Sequence, residues 1–134
     1  MREGLFVSGA RDRDGGRLLS LRVRGEGERA VIEASGEVDL GTADLLVRCG
    51  ARALEENPGP LVLDLAQITF FSAAGLRALL ELRDAAGERL LLRAPSRSVL
   101  FVLELTALTD RFTVLEEEPE RDRDGEPGAD SIQE

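Results

Sequence analysis

Three short stretches of this chain combine residue types that can do chemistry. The first, Gly36-Glu37-Val38-Asp39, sets two carboxylates close together just before a helical pattern. Such a pair can hold a cation or move a proton. With no histidine or further acid cluster nearby in sequence, the pair reads instead as a solvated strand end in which Asp39 helps to cap the following helix. The second is Asp64, a single carboxylate inside the apolar run Leu61-Val62-Leu63-Asp64-Leu65. A buried carboxylate needs hydrogen bonds or a cation, so Asp64 is expected to meet backbone amides or an arginine. The third is Phe70-Phe71-Ser72-Ala73-Ala74-Gly75-Leu76. Ser72 stands where a helix N-cap belongs and small residues follow it. The unpaired amides of a helix start favour negative charge, and a phosphate could be accommodated there.

The residues that are missing restrict the chemistry further. The 134-residue chain has no histidine, so a Ser-His-Asp triad and any histidine metal site are impossible. Neither G-x-S-x-G nor G-x-x-x-x-G-K-[ST] occurs, which removes the nucleophile elbow and the P-loop. The expectation is a protein with no catalytic residues, no metal and no cofactor. Cys49 is the single cysteine and lies on an apolar helix stripe, where a free thiol behaves as a small hydrophobe. One cysteine permits no internal disulfide, which fits a reducing, cytoplasmic compartment.

The formal net charge is −9, but it is unevenly spread. Residues 116–134 hold nine acids and two arginines, leaving residues 1–115 close to neutral at −2. All 17 basic residues are arginine, which reads as a mark of GC-rich coding. No basic stripe, tyrosine or tryptophan offers itself to nucleic acid. No apolar run is long enough to span a membrane. The start, Met1-Arg2-Glu3-Gly4-Leu5, has no apolar stretch of the secretory kind.

The elements that must position these residues follow from periodicity. Residues 1–16 are polar and Gly-rich and read as a flexible segment; residues 116–134 read as a disordered acidic tail. Between them, residues 17–115 form one domain. Residues 18–24 alternate and pair as a hairpin with the strand 30–34. Thr42 is the expected N-cap of a helix to Glu56, with Leu45, Leu46, Cys49 and Ala53 on one stripe. Leu61–Leu65 is a buried strand of the parallel kind. Ala73–Ala86 is a second helix, stopped by Gly87. Arg89–Arg93 is a strand, Arg97–Leu105 a third helix capped by Ser96, and Phe112–Leu115 a short edge strand. The order ββαβαβαβ implies an α/β fold, a mixed sheet with about three helices packed on one side.

In this order the motifs resemble the STAS domain family, which includes bacterial anti-sigma factor antagonists and the cytoplasmic tails of sulphate transporters. Gly36-Glu37-Val38-Asp39-Leu40-Gly41-Thr42-Ala43 is similar to G-E-[LIV]-D-x-x-[ST]-A. Leu63-Asp64-Leu65 through Phe70-Phe71-Ser72-Ala73-Ala74-Gly75-Leu76 is similar to L-D-L-x-x-[VIL]-x-F-[MLI]-D-S-[STA]-G-L. Leu103-Glu104-Leu105-Thr106-Ala107-Leu108 is similar to L-x-L-T-G-L. The resemblance implies partner switching. An unphosphorylated antagonist binds a serine-kinase anti-sigma factor, phosphorylation at the start of the second helix blocks binding, and a phosphatase resets it. It places a partner-binding surface on Asp39, Gly41, Thr42, Ser72, Ala73, Ala74, Gly75 and Leu76. The sequence departs from the pattern at the switch. Ser72 falls at the family's Asp, and Ala73, with no hydroxyl, at its phosphoacceptor. Ser72 is then either a structural cap or an acceptor displaced by one residue. The resemblance also admits a scaffold subunit of a larger signalling or transport assembly.

Overall fold

The structure, a computed structural model, describes residues 4–8 and 18–116. Six strands form one mixed sheet in the order β1-β2-β3-β4-β5-β6. They are β1 (Gly4–Ser8), β2 (Leu19–Glu26), β3 (Arg29–Val38), β4 (Leu61–Phe71), β5 (Leu90–Arg93) and β6 (Thr113–Leu115). β1, β2 and β3 run antiparallel, and β3 to β6 run parallel. Parallel neighbours need a crossover, and the helices α1 (Ala43–Glu56), α2 (Ala73–Ala86) and α3 (Arg97–Leu105) supply the three.

The alternation in β2 does what its pattern requires. Leu19, Leu21 and Val23 enter the core, joined by Ala30, Ile32 and Ala34 of β3, Leu61, Leu63 and Leu65 of β4, and Leu90 and Leu92 of β5. Against them pack Leu46 and Cys49 of α1, Leu79 and Leu82 of α2, and Val99 and Leu103 of α3. On the reverse side of the sheet, Glu33, Asp64 and Arg93 stand side by side on neighbouring strands. Arg93 Nε reaches Asp64 Oδ2 at 3.4 Å, and Nη1 reaches Glu26 Oε1 at 3.2 Å. The Ala66 amide donates to Asp64 Oδ1 at 3.2 Å. Asp64 therefore has the amide and the arginine its burial demands.

Three strands differ from the sequence expectation, one of them β3, which was expected over 30–34 and continues to Val38 alongside β4. Gly4–Ser8, inside the segment read as flexible, pairs with β2 as an edge strand. Five residues between Gly and polar flanks carry too little period-2 signal to announce a strand that the free edge of β2 can recruit. The rest of that segment and the tail beyond Glu116 lie outside the described residues.

β4 continues past Leu65 to Phe71, although β5 pairs with it only as far as Asp64. The exposed edge of this extension is covered by the chain entering α3. The Ser96 amide donates to the Leu65 carbonyl at 3.2 Å, and Ser98 Oγ to the Thr69 carbonyl at 3.0 Å. On its other side β4 stays paired with β3, Val38 lying opposite Phe71. The extension carries Ser72 to the same place as the end of β3.

Candidate functional site

At the carboxyl end of β3 the chain turns into α1 through Asp39, Leu40, Gly41 and Thr42. Gly36 begins the departure. Its φ of 116° suits glycine, and a Cβ there would collide with the Leu18 carbonyl oxygen. The register between β3 and β4 shifts between Gly36 and Glu37, and pairing resumes with Glu37 opposite Phe70 and Val38 opposite Phe71 before the chain leaves the sheet. The loop is then held by its own polar groups. Asp39 Oδ1 accepts from the amides of Gly41 (2.9 Å) and Thr42 (3.1 Å). The buried Thr42 hydroxyl accepts from the Asp39 amide at 3.0 Å and donates to the Glu37 carbonyl at 2.8 Å.

Thr42 occupies the N-cap position of α1 as expected, but its side chain makes no capping bond to the helix. That hydroxyl closes the loop instead, and the Asp39 carboxylate takes the amides that precede the helix. Of the two acids, Asp39 forms the turn through its carboxylate, and Glu37 takes part through its backbone carbonyl. Among the described residues no group of three or more Cys, Asp or Glu side chains is placed to hold a metal ion.

At the end of β4 the chain enters α2 through Ser72. The Ser72 amide donates to the Val38 carbonyl at 3.0 Å, so the two loops abut. Ser72 Oγ accepts from the Ala74 amide at 3.1 Å, a helix N-cap. Gly75 lets the first turn of α2 lie on the Phe71 ring, since a Cβ would come within 2.7 Å of it.

Asp39, Leu40, Phe70, Ser72, Ala73, Ala74 and Arg77 line one shallow depression of about 400 Å³. The sequence-predicted residues divide by exposure. Gly41 and Ala73 are exposed, and Asp39, Ser72 and Ala74 are half-buried. Thr42, Gly75 and Leu76 are buried, so they set the shape of the surface and offer a partner little area. Gly75 in particular is no neutral place for a bulky surface substitution such as Gly75→Arg, because Phe71 occupies the space.

Leu40, Phe70 and Arg77 were not anticipated from sequence. Leu40 falls at a free position of the motif and is 85% exposed. Phe70 is one of two adjacent phenylalanines at a strand end, where alternation must turn one away from the core. Its neighbour Phe71 is buried, and Phe70 is 39% exposed. Arg77 lies four residues after Ala73, the spacing that puts both on one helix face. Those two signals were legible.

The strongly perturbed groups lie elsewhere. Burial pushes the Cys49 thiol up to about 11, with Arg52 acting against it. Burial raises the Glu26 carboxyl, but the hydrogen bond and charge of Arg93, with Arg29 and Arg24, outweigh this and hold it at about 2.

Comparison with known proteins finds relatives of the same fold. The anti-sigma-F factor antagonist RsfB of Mycobacterium tuberculosis is 34% identical over 59 residues, 44% of this chain and 48% of that protein. The match thus spans about half the length of that relative. The crystal structure of an anti-sigma factor antagonist from Mycobacterium paratuberculosis superposes with a TM-score of 0.65 at 25% identity, over 74% of this chain and 86% of that one. Unphosphorylated SpoIIAA, an anti-sigma factor antagonist, shares the fold with a TM-score of 0.57 at 19% identity, over 72% and 89%. The family model described as "Mlab, STAS domain" matches residues 21–116, the stretch that runs from β2 to the end of the sheet and carries both loops of the site. The chain belongs to the STAS domain family.

Proposed function

We propose that this protein is an anti-sigma factor antagonist that binds a serine-kinase anti-sigma factor without the usual phosphorylation switch. The docking surface is the depression between the Asp39–Thr42 loop and the start of α2. One observation carries the second half of this reading. Ala73, the exposed first residue of α2, stands where the family places its acceptor serine, and it has no hydroxyl. The neighbouring Ser72 hydroxyl is engaged by the Ala74 amide as a cap. A phosphate brings a charge of about −1.5 to −2 and would block an interface here. Without an acceptor, the chain stays in its binding form, and a phosphatase has nothing to remove. The protein acts in the cytoplasm, through protein contacts alone and with no catalysis of its own.

The test is calorimetry against the serine-kinase anti-sigma factor of the host, followed by incubation with that kinase and labelled ATP. Binding with no phosphate incorporated is the expected result. Absence of binding overturns the antagonist reading, and phosphate on Ser72 overturns the locked form. The missing hydroxyl also suits a second reading, a non-switching subunit of a larger signalling or transport assembly. Light scattering after gel filtration separates the two: the antagonist is a monomer, and the scaffold a large oligomer.

A further inference from the structure

The depression has a chemical character of its own. Leu40 and Phe70 bring two large apolar side chains to it at 85% and 39% exposure, and Ala73 and Ala74 extend the apolar lining. Scattered exposed apolar residues are ordinary on a protein surface, but two of them on one concavity mark a place of contact. A shallow depression of about 400 Å³ has room for one or two side chains of a partner.

The charge is also defined. Arg77 lines the depression, and no carboxylate among the described residues pairs with it. The exposed arginines of α1 differ: Arg48 pairs with Asp44 and Arg52 with Glu56, each one turn away. Glu81 lies one turn from Arg77, yet no ion pair joins them. Asp39 is the one acid of the lining, and its Oδ1 is turned into its own loop, onto the amides of Gly41 and Thr42. The amino-terminal end of α2, through Ser72, Ala73 and Ala74, lines this place and brings its partial positive charge to it. Arg77 is therefore the cationic group of the lining that is open to a partner's carboxylate, beside an Asp39 whose Oδ1 is already engaged.

We propose that the partner surface docking here carries a bulky apolar side chain beside a carboxylate. The apolar group sits against Leu40 and Phe70, and the carboxylate meets the Arg77 guanidinium. This rests on the docking surface proposed above and adds the chemistry of what it receives.

The test uses two synthetic peptides on one helical template with identical Leu and Phe positions. One carries Glu beside them and the other Arg. Each is titrated into the full 134-residue chain and its Arg77→Glu variant, at physiological salt, with binding followed by amide NMR shifts. Salt at that level screens long-range attraction, and what remains of the overall charge favours the basic peptide. A preference for the acidic one must come from the site. The expected result is shifts at Leu40, Ala73 and Arg77, with the acidic peptide about fivefold tighter, and the order inverted in Arg77→Glu. The dispersion of the variant's spectrum shows that it has folded. Equal affinities, or a tighter basic peptide, with shifts at those residues overturn the carboxylate assignment and leave the docking surface standing. Shifts confined to the exposed pair Phe101 and Leu105 of α3 overturn both.

Discussion

The amide of Ser72 donates to the carbonyl of Val38 across 3.0 Å, which ties the cap of α2 to the last residue of β3. Two loops far apart in sequence thereby form one surface. On the β3 side, Thr42 closes the loop through its hydroxyl. Replacing it with valine keeps the shape and removes both bonds, leaving the Asp39 amide and Glu37 carbonyl without that partner. Thr42→Val should cost about 1–3 kcal/mol in urea unfolding. Amide exchange at Asp39 should accelerate more than at Leu79 in the core. Equal acceleration at both would mean that the hydroxyl does not hold the loop.

Neighbouring positions at the start of α2 should behave differently. Gly75→Ala places a methyl group against the Phe71 ring, so crowding outweighs the gain in helix propensity. A net loss of about 1–2 kcal/mol is expected in thermal unfolding. Ala74→Asp, on the half-buried rim, should unfold within about 1 kcal/mol of the parent and yet abolish binding of the anti-sigma partner in calorimetry. Unchanged affinity would remove Ala74 from the docking surface.

Glu26 sets a pH dependence. Its carboxyl lies near 2 in the folded protein against 4.5 in the unfolded chain. A depressed carboxyl contributes stability that is complete above the unfolded value and disappears as pH falls toward the folded one. The window is therefore pH 4.5 down to about 2. With solvent screening at this partly exposed site, the contribution is about 1–2 kcal/mol. Glu26→Gln should flatten the loss of stability across that window by this amount. A parallel curve would show that the arginines do not depress it.

The reverse face of the sheet offers a paired test. Arg93 and Asp64 have side chains only 3% and 8% exposed. Arg93→Met leaves a buried carboxylate without its cation and should cost about 3–5 kcal/mol. Adding Asp64→Leu should recover the part of that loss that comes from the stranded Asp64 carboxylate, while the Arg93–Glu26 ion pair stays lost. Additive losses in chemical denaturation would contradict the coupling.

Cys49 should be inert. With its thiol raised to about 11 by burial, little thiolate exists at neutral pH. Alkylation by iodoacetamide should follow unfolding rather than thiol chemistry, and rapid labelling of the folded chain would contradict this.

Much of the domain was determined by sequence alone, because its signals are local. Alternation in Leu19, Leu21 and Val23 set the strand face. The stripe of Leu46, Cys49 and Ala53 set the buried side of α1. Ser72, Ser96 and Gly87 marked helix ends through bonds and backbone angles that involve only near neighbours. Tertiary structure decided the rest. Residues 4–8 become a strand only because β2 has a free edge. β4 reaches Phe71 only because β3 flanks it on one side and the chain entering α3 satisfies its carbonyls on the other. Leu40, Phe70 and Arg77 face one depression because the strand ends of β3 and β4 are neighbours. Such proximity is a long-range property, and no pattern within either motif encodes it.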